Sequence, residues 1–458
     1  MQKEHPPTER RELSLLKRMS YAGAALGALI LVCLLALLFF PDPIVNGVIK
    51  PRITEAFAEA YPAYAIQIGE MNYSVLKNRI GCDSIAVGAV DSTFSCTMGP
   101  FTVSGIGWMH LLGGGSLAPQ DFADAAVDAH AIVLNFPESQ YALRCEVMRV
   151  SVPDSEVVVE TLTLHPSVDD EEFFAESTFR KTRFRLAVPS ARMQGVACLD
   201  LLQAKSYRTR SARIQSMHLD ALVNKDKPGA SPTAPPLMPN EILSSIEGRV
   251  QVDSLILLNG GLQYGERFAP GSKPAVITFD SMEVLTEGIG NPGDSNAAVV
   301  IVAQGQFMKT GTMHVRMSIP AASPEFSYQY SGSLGRMDLR GLNVFLEEAE
   351  QMRIKAGALQ SATFEIAVVS GRASGTVRAM YKDLTIAAIN KQTGSEKGFV
   401  DGIASFIANT FKLRGTNMPD TAGATEAGQV AYARKRDDVF LTFTWFALRS
   451  GVADVVGF

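Results

Sequence analysis

Charged residues are scarce in this sequence, and it carries no basic field. Only 19% of its 458 residues are charged, whereas about a quarter is usual for a globular domain. The formal net charge is −5, which argues against a nucleic-acid partner because phosphate backbones attract basic surfaces. With 47% hydrophobic residues, the low charge content indicates apolar surfaces that face something other than water.

Catalytic and metal-binding motifs are also absent from the sequence. The six histidines are scattered, and neither H-E-x-x-H nor G-x-S-x-G occurs. Gly288, Gly290 and Gly293 match G-x-G-x-x-G formally, but a strand-like run follows them where a dinucleotide site requires a helix. The sequence therefore predicts that the protein is not an enzyme and has no metal site and no cofactor.

Five cysteines are present, and Cys33 lies within an apolar N-terminal run. The other four, Cys82, Cys96, Cys145 and Cys198, permit disulfides in an oxidising compartment, with three connectivities. Because Cys82 and Cys96 flank a predicted hairpin, a disulfide between these two is geometrically reasonable. The alternative is that all four are small buried hydrophobic side chains.

Residues 19–40 form a run of 22 residues without a charge. A helix of this length covers about 33 Å, enough to cross a hydrocarbon core of about 30 Å. The run is longer than the core of a signal peptide and ends without an A-x-A-like site, which favours an uncleaved anchor. The basic residues close to its start place residues 1–18 in the cytoplasm and the remainder outside: Arg10, Arg11, Lys17 and Arg18. The sequence thus predicts a single-pass protein of a bacterial inner membrane with most of the chain in the periplasm.

Beyond the anchor, strand patterns predominate and predict a mainly β fold. Alternation with a period of two marks residues 179–188, 248–253, 364–368 and 377–381. Turn signals such as Asn259-Gly260-Gly261 separate the runs at intervals typical of antiparallel meanders. Helical patterns are few, and they fall at residues 44–60, 167–178, 339–355 and 398–412.

A proline-rich segment at residues 225–240 divides the chain. Five prolines and few large apolar residues predict an exposed, extended linker there. The linker separates a β-rich N-terminal unit, residues 41–224, from a β-rich C-terminal unit, residues 241–458.

Two basic stretches, residues 180–185 and 205–213, interleave with apolar residues on predicted strands. The simpler interpretation is the solvent-exposed face of a sheet whose charges protect it from edge-to-edge association. The alternative is contact with anionic lipid headgroups or phosphates.

Three stretches of the second half carry a recognisable pattern of apolar, glycine and turn positions. They are GRVQVDSLILLNGGLQYGERF, SYQYSGSLGRMDLRGLNVFLEEAEQMRIKAGALQSATFEIAV and SGTVRAMYKDLTIAAI, with FTWFALRSGV near the C-terminus. This pattern resembles AsmA-like proteins, the AsmA–TamB group of bacterial envelope proteins. The basic tail, the apolar run and residues 53–90 agree with the resemblance.

The resemblance implies an N-terminal transmembrane helix followed by a long curled antiparallel β-sheet, groove-like, with a few short helices. About 25 strands at about 4.8 Å spacing would give a groove near 120 Å long. An apolar groove shields acyl chains from water, at about 0.8 kcal/mol per buried CH₂ group. Strand alternation selects nine candidates for the groove lining: Val250, Val252, Leu255, Leu257, Phe364, Ile366, Val368, Val377 and Tyr381.

The function that the resemblance implies is lipid handling or transfer in the cell envelope, as part of outer-membrane biogenesis. The expected partners are phospholipid or another envelope lipid, the inner membrane, and an outer-membrane or envelope protein. One alternative is a non-enzymatic envelope scaffold or assembly factor that binds other membrane proteins through its sheet edges and linker. Another is an envelope hydrolase with an unrecognised site.

Overall fold

A computed structural model describes most of the chain beyond the predicted anchor. The described residues are 42–74, 76–106, 119–202, 206–229, 234–291, 298–321, 323, 325–389, 414–421 and 423–457. None of the helices within these ranges is long and apolar enough to cross a membrane. The predicted anchor at 19–40 and the predicted helix at 398–412 lie outside the described residues.

Most of the described chain forms one curled, mixed β-sheet of 21 strands. The strands are β1 (Tyr64–Ile68), β2 (Met71–Ser74), β3 (Arg79–Cys82), β4 (Ile85–Ala89), β5 (Ser95–Met98), β6 (Phe101–Ser104), β7 (Ala126–Phe136), β8 (Tyr141–Ser151), β9 (Glu156–Pro166), β10 (Thr182–Gln194), β11 (Ser206–Gln215), β12 (His218–Asn224), β13 (Arg249–Arg267), β14 (Ala275–Gly290), β15 (Ala298–Phe307), β16 (Gly311–Pro320), β17 (Tyr328–Leu334), β18 (Met337–Asp338), β19 (Met352–Val369), β20 (Arg372–Ala388) and β21 (Ala427–Ala433).

The described helices are short, except for one at the N-terminal edge of the sheet and one at the C-terminus. They are α1 (Asp42–Ile44), a π-helix (Val45–Ile49), α2 (Lys50–Ala60), α3 (Asp170–Ala175), α4 (Cys198–Leu202), α5 (Pro239–Ser245), α6 (Asn343–Ala349) and α7 (Phe440–Val456). Three 3₁₀ turns accompany them: Pro119–Phe122, Pro137–Ser139 and Leu339–Leu342.

The strand patterns predicted from sequence fall within β10, β13, β19 and β20. The helix predicted at 44–60 is present as α1, the π-helix and α2. The helix predicted at 167–178 is shorter, because the carboxylate of Asp169 caps its first turn by accepting from Glu172 N. The helix predicted at 339–355 ends at Ala349, and β19 begins at Met352. The long α7 was not predicted.

Five pairs of strands lie end to end (β1 with β2, β3 with β4, β5 with β6, β11 with β12, and β17 with β18), so the 21 strands occupy sixteen levels. Fifteen steps of about 4.8 Å give a sheet roughly 72 Å long, measured along its curve. The described strands therefore give a shorter sheet than the length of near 120 Å expected from sequence.

A line of backbone irregularities runs across the sheet and favours its curl. Ala131 in β7, Thr161 in β9 and Asn259 in β13 have positive φ angles of 48°, 53° and 52°. At Ala131 and Thr161 the ladder omits one residue from each strand, and β13 shifts its register against β14 around Gly260, so the regular pleat is interrupted at all three positions. Because bulges bend a strand and increase its twist, bulges aligned on neighbouring strands bend the sheet as a whole.

One junction in the sheet is parallel, so the expectation of a wholly antiparallel sheet is wrong. β13 runs parallel to β11 and β12, whereas the other strand pairs described are antiparallel. A parallel neighbour requires a crossover connection of a dozen or more residues, and residues 225–248 provide it. The crossover is partly packed, since Met238 is fully buried and Arg434 donates to the carbonyl of Pro236 at 2.6 Å. Strands on both sides of the predicted linker thus share one hydrogen-bonded sheet.

Both ends of the sheet carry helical side chains that satisfy edge backbone groups. At one end, Asp42 Oδ1 accepts from Tyr73 N and Asn46 Oδ1 accepts from Met71 N, both at 2.9 Å. The acceptors are four residues apart on a helix and the donors two apart on a strand. These spacings correspond to about 6.0 Å and 6.6–6.8 Å, so the two elements match in length.

The other end repeats this arrangement on α7. Asp454 Oδ2 accepts from Gln429 N at 2.7 Å, and Ser450 Oγ accepts from Ala431 N at 3.3 Å. Here too the acceptors are four residues apart and the donors two apart. The unpaired edges that open sheets expose to other chains are therefore occupied at both ends.

We expect Asp454→Ala to open the β21 edge. Loss of a hydrogen bond to a backbone donor removes roughly 1 kcal/mol, so amide hydrogen exchange at Gln429 should accelerate about fivefold. Exchange at this amide in the full chain measures the effect. Asp437→Ala removes an exposed carboxylate just before α7 and should leave the exchange unchanged. Equal exchange at Gln429 in both variants would show that Asp454 does not cap the edge.

Candidate functional site

A single row of apolar residues crosses the sheet from edge to edge. Directly opposite partners in neighbouring strands lie on the same face, so the pairing register defines the row, with one residue at each of the sixteen levels. We call it the central apolar row, and its members are Met71, Cys82, Phe101, Ala129, Met148, Val159, Ala191, Ile214, Leu257, Val284, Ala303, Val315, Gly332, Phe364, Val377 and Gly428.

A second row lies two residues away on the same face, and it is almost as apolar. We call it the adjacent apolar row, and its members are Tyr73, Ile80, Val103, Val127, Val150, Val157, Met193, Ala212, Leu255, Thr286, Ile301, Met317, Tyr330, Ile366, Gly375 and Val430. Apart from the phenol groups of Tyr73 and Tyr330, the hydroxyl of Thr286 is the only polar side-chain group in this row, and Thr286 is buried. Together the two rows define an apolar face.

On β7 to β10 the opposite face of the sheet carries ion pairs. On β7 to β9, Arg149 pairs with Glu160 at 3.0 Å and lies 3.9 Å from Asp128. On the next strand, Arg192 pairs with Glu156 at 3.1 Å. These side chains are partly exposed, so each pair adds little stability. Their position shows which face of the sheet meets water.

Helices cover the apolar face at its two ends. At the N-terminal end, Val45 and Ile49 of the π-helix pack against Met71, Tyr73 and Cys82. At the C-terminal end, Phe443 and Ala447 of α7 are fully buried in a cluster that also contains Met238, Tyr328 and Ile366.

α7 approaches the sheet closely because glycines face each other at the contact. A Cβ atom on Gly428 would lie 2.0 Å from the carbonyl oxygen of Gly451, and a Cβ on Gly451 would lie 2.6 Å from Val377. Neither position accepts a side chain without moving the helix. The last members of the central apolar row are therefore enclosed.

Between the covered ends, the apolar face is only partly buried. The members of the central row from β8 to β15 are half-buried, with the exception of the buried Leu257. This stretch contains seven levels and six steps, which correspond to roughly 29 Å. An apolar face of this length, in contact with solvent, is the most unusual surface in the described part of the chain.

A depression of about 500 Å³ crosses β13 to β17. Three consecutive residues from each strand line it, at 256–258, 283–285, 302–304, 314–316 and 331–333. The middle residue of each triplet belongs to the central apolar row. The two neighbours in each triplet alternate to the opposite face.

The nine candidates chosen from sequence lie on the apolar face. Leu255, Leu257 and the five candidates on β19 and β20 lie on the apolar face. Val252 is paired with Ile289, which packs against the core cluster under α7, so Val252 and Val250, two residues before it, also lie on this face. The ladder omits Asp253 and Gly288 between Val252 and Ser254, and Gly288 has a positive φ angle of 74°, so the alternation changes phase there.

Four of the candidates are packed in the enclosed region near α7. Ile366, Val368, Val377 and Tyr381 are each 1–2% exposed. In the structure they form the core between α7 and the sheet, while Phe364 is half-buried beside them. The open stretch of the face instead uses residues of β8 to β11 that sequence patterns did not single out.

The apolar alternation that marks the missed strands is present in the sequence, but it is interrupted. In β7 the alternation of Val127 and Ala129 changes phase at Ala131 and resumes with Ile132 and Leu134. The positive φ angle of Ala131 marks the bulge that shifts the phase. Strict alternation over a long window therefore fails to detect this strand.

The four described cysteines are free thiols. Cys82 packs with the π-helix and β2, and Cys96 packs near Ile132 and Cys145 in a separate cluster. The Cys82–Cys96 disulfide considered from sequence is not formed in the structure. Burial raises the pKa of the thiols, so they are small buried side chains with little thiolate character.

The basic stretches of β10 and β11 hold structural ion pairs. Arg183 is buried and pairs with Asp170 of α3 at 3.1 Å and with Asp220 of β12 at 2.7 Å. Arg185 also reaches Asp170, at 2.8 Å. These contacts fasten α3 to the opposite face, so Arg183 is not available to a lipid headgroup. Within the described ranges, no three His, Cys, Asp or Glu side chains are placed to hold a metal ion.

No family model matches this chain, and no curated protein matches it.

Three tyrosines near α7 have a pKa raised above the usual value. Tyr328 Oη bonds to Thr444 Oγ1 at 2.7 Å, and Tyr330 Oη donates to the carbonyl of Thr444 at 2.9 Å. Burial raises the pKa of both phenols well above the usual range. Burial and a hydrogen bond to Asp438 raise the pKa of Tyr432 to about 12.

We expect the C-terminal part of the sheet to lose stability as the pH rises above about 10. An unfolded tyrosine ionises near pH 10, whereas Tyr432 keeps its proton in the folded state up to about pH 12. The unfolded state then binds fewer protons, so the free energy of unfolding falls with pH. Urea unfolding at about pH 8 and about pH 10.5 measures this change.

Tyr330→Phe should reduce the pH dependence of the unfolding midpoint, because one of the three groups is removed. Tyr61→Phe is the matched control, since Tyr61 is 57% exposed and far from α7 in sequence. An identical slope for Tyr330→Phe and the parent protein would contradict the assignment.

Proposed function

We propose that this protein handles or transfers lipid in a bacterial cell envelope, with the half-buried middle of the apolar face as the lipid-binding groove. The observation that carries the proposal is the continuity of the central apolar row, which has no polar member at any of sixteen levels. The resemblance to AsmA-like proteins points to the same function.

Physical chemistry favours acyl chains as the ligand of this face. An exposed apolar face costs free energy in water, and each CH₂ group placed on it regains up to about 0.8 kcal/mol. Apolar contact has no directional requirement, so the face needs no particular polar residue to recognise a chain. The open stretch of roughly 29 Å exceeds the length of about 15 Å that acyl chains occupy in one leaflet.

The proposed arrangement uses the remaining sequence features. Residues 19–40 anchor the chain in the inner membrane, and the sheet extends into the periplasm. The polar headgroup of a bound lipid lies outside the curl, next to water, while its chains lie on the central and adjacent rows. An outer-membrane or envelope protein is the expected partner for passing the lipid onward.

The alternative of a scaffold that recruits partners by adding strands to the sheet is less favoured. Tyr73 N and Met71 N at one end, and Gln429 N and Ala431 N at the other, already have acceptors within the chain. A partner strand must displace these acceptors before it pairs.

The test is the lipid content of the full-length protein, purified in a mild detergent. Met148→Asp places a carboxylate on the apolar face in its open stretch, and it should lower the phospholipid extracted per chain several-fold. The charge has to be desolvated before an acyl chain covers it, which is unfavourable. Mass spectrometry of the extracted lipid measures the change.

Val147→Asp is the matched control, because Val147 is the preceding residue of the same strand, half-buried, and on the opposite face. It should leave the lipid content unchanged. Equal lipid in both variants would place any bound lipid elsewhere, and absence of lipid from the parent protein would contradict the proposal. Circular dichroism confirms that both variants are folded.

A further inference from the structure

The turn between β2 and β3 presents an exposed apolar side chain that two basic residues follow. Leu76 is 90% exposed, more than any other large hydrophobic residue described. Lys77 follows it directly, and Arg79 begins β3; both side chains are exposed. A fully hydrated leucine costs free energy in water, so this turn is unusual unless it meets an apolar surface.

The turn is held in place by hydrogen bonds. Asn78 has a positive φ angle of 43°, and its Oδ1 accepts from Tyr73 Oη at 3.2 Å. Its Nδ2 donates to the carbonyl of Ile106 at 3.2 Å, and its own carbonyl accepts from Gly105 N at 3.2 Å. These hydrogen bonds therefore hold Asn78, on the C-terminal side of the turn, against the sheet. Leu76 is presented at a defined position because the residues after it are fixed.

The first described residues of the chain lie beside the same strand. Asp42 accepts from Tyr73 N at 2.9 Å, and Leu76 follows Tyr73 by three residues. Three extended residues span at most about 10 Å, which bounds the distance from Tyr73 to Leu76. The uncharged run of residues 19–40 ends two residues before Asp42. If that run crosses a bilayer, the turn lies within a short distance of the bilayer surface.

We propose that this turn is a membrane-contact element, which inserts Leu76 into the interface of an anionic bilayer while Lys77 and Arg79 face lipid phosphates. The inference rests on the membrane anchor of the proposed function. Basic side chains near an anionic surface are attracted to it, and their aliphatic stems reach from apolar depth to the headgroups. The contact fixes the orientation of the first hairpin relative to the membrane.

The opposite end of the same hairpin supplies a matched control. Val90 is 73% exposed and follows β4, but its neighbour is Asp91 and no basic residue adjoins it. Val90 N donates to the carbonyl of Ala63, which places it beside the start of β1, away from the β2–β3 turn. Both positions accept a larger side chain because both are exposed.

The experiment uses the full chain in phosphatidylcholine vesicles that contain one third phosphatidylglycerol. Leu76→Trp and Val90→Trp each add one fluorophore, and brominated phosphatidylcholine quenches tryptophans that enter the bilayer. The emission added by Leu76→Trp should be quenched several-fold more than that added by Val90→Trp. Reversing both charges, by Lys77→Glu with Arg79→Glu, should reduce the quenching of Leu76→Trp in these vesicles but much less in neutral ones.

Flotation of the vesicles distinguishes failure of the turn proposal from failure of the membrane anchor. If the chain floats with the vesicles and both tryptophans are quenched equally, the membrane-contact turn is overturned while the anchor stands. If the chain does not float, the anchor of the proposed function fails, and the turn proposal fails with it. Quenching of Leu76→Trp that does not depend on Lys77 and Arg79 overturns the role of the two cations.

Discussion

An open sheet of sixteen levels has two edges, and the hydrogen-bonding groups on those edges must find partners. The chain meets this requirement with two helices that carry acceptors at positions four apart. Four residues of a helix and two residues of a strand span nearly the same length, so the acceptors and the donors are matched in spacing. Asp42 and Asn46 serve one edge, and Ser450 and Asp454 serve the other. The apolar face depends on this arrangement, because a sheet that joined other chains at its edges would aggregate before it bound a ligand.

The amphipathic character of the sheet arises strand by strand but holds across the whole molecule. Each strand alternates, and each junction pairs apolar positions with apolar positions, so the two apolar rows continue through both antiparallel and parallel junctions. Aligned bulges preserve this continuity, since a bulge in one strand without a counterpart in the next would move its side chains to the wrong face. Ala131, Thr161 and Asn259 are members of that alignment.

Sequence patterns predicted the strand-rich character and several of the strands, because alternation with a period of two is a local property. They did not predict the parallel junction, which depends on where the crossover returns the chain. Strict alternation does not place Val250 and Val252 on the face of Leu255, since both are an odd number of residues away, and the phase change at Asp253 and Gly288 does so. α7 was missed because Phe440–Val456 is apolar on nearly every side, and its helical state is decided by packing against the sheet and by the edge it caps.

The capped edges have a consequence for how such a molecule changes in size. A β-hairpin inserted between two interior strands adds two levels and preserves the direction of every later strand, so both caps still meet the edges they fit. The length grows by about 9.6 Å with each insertion. An insertion with alternating side chains also extends both apolar rows without a break. The length of such a sheet thus changes in fixed steps of one hairpin. Duplication of short segments adjusts it, while the two terminal segments stay the same.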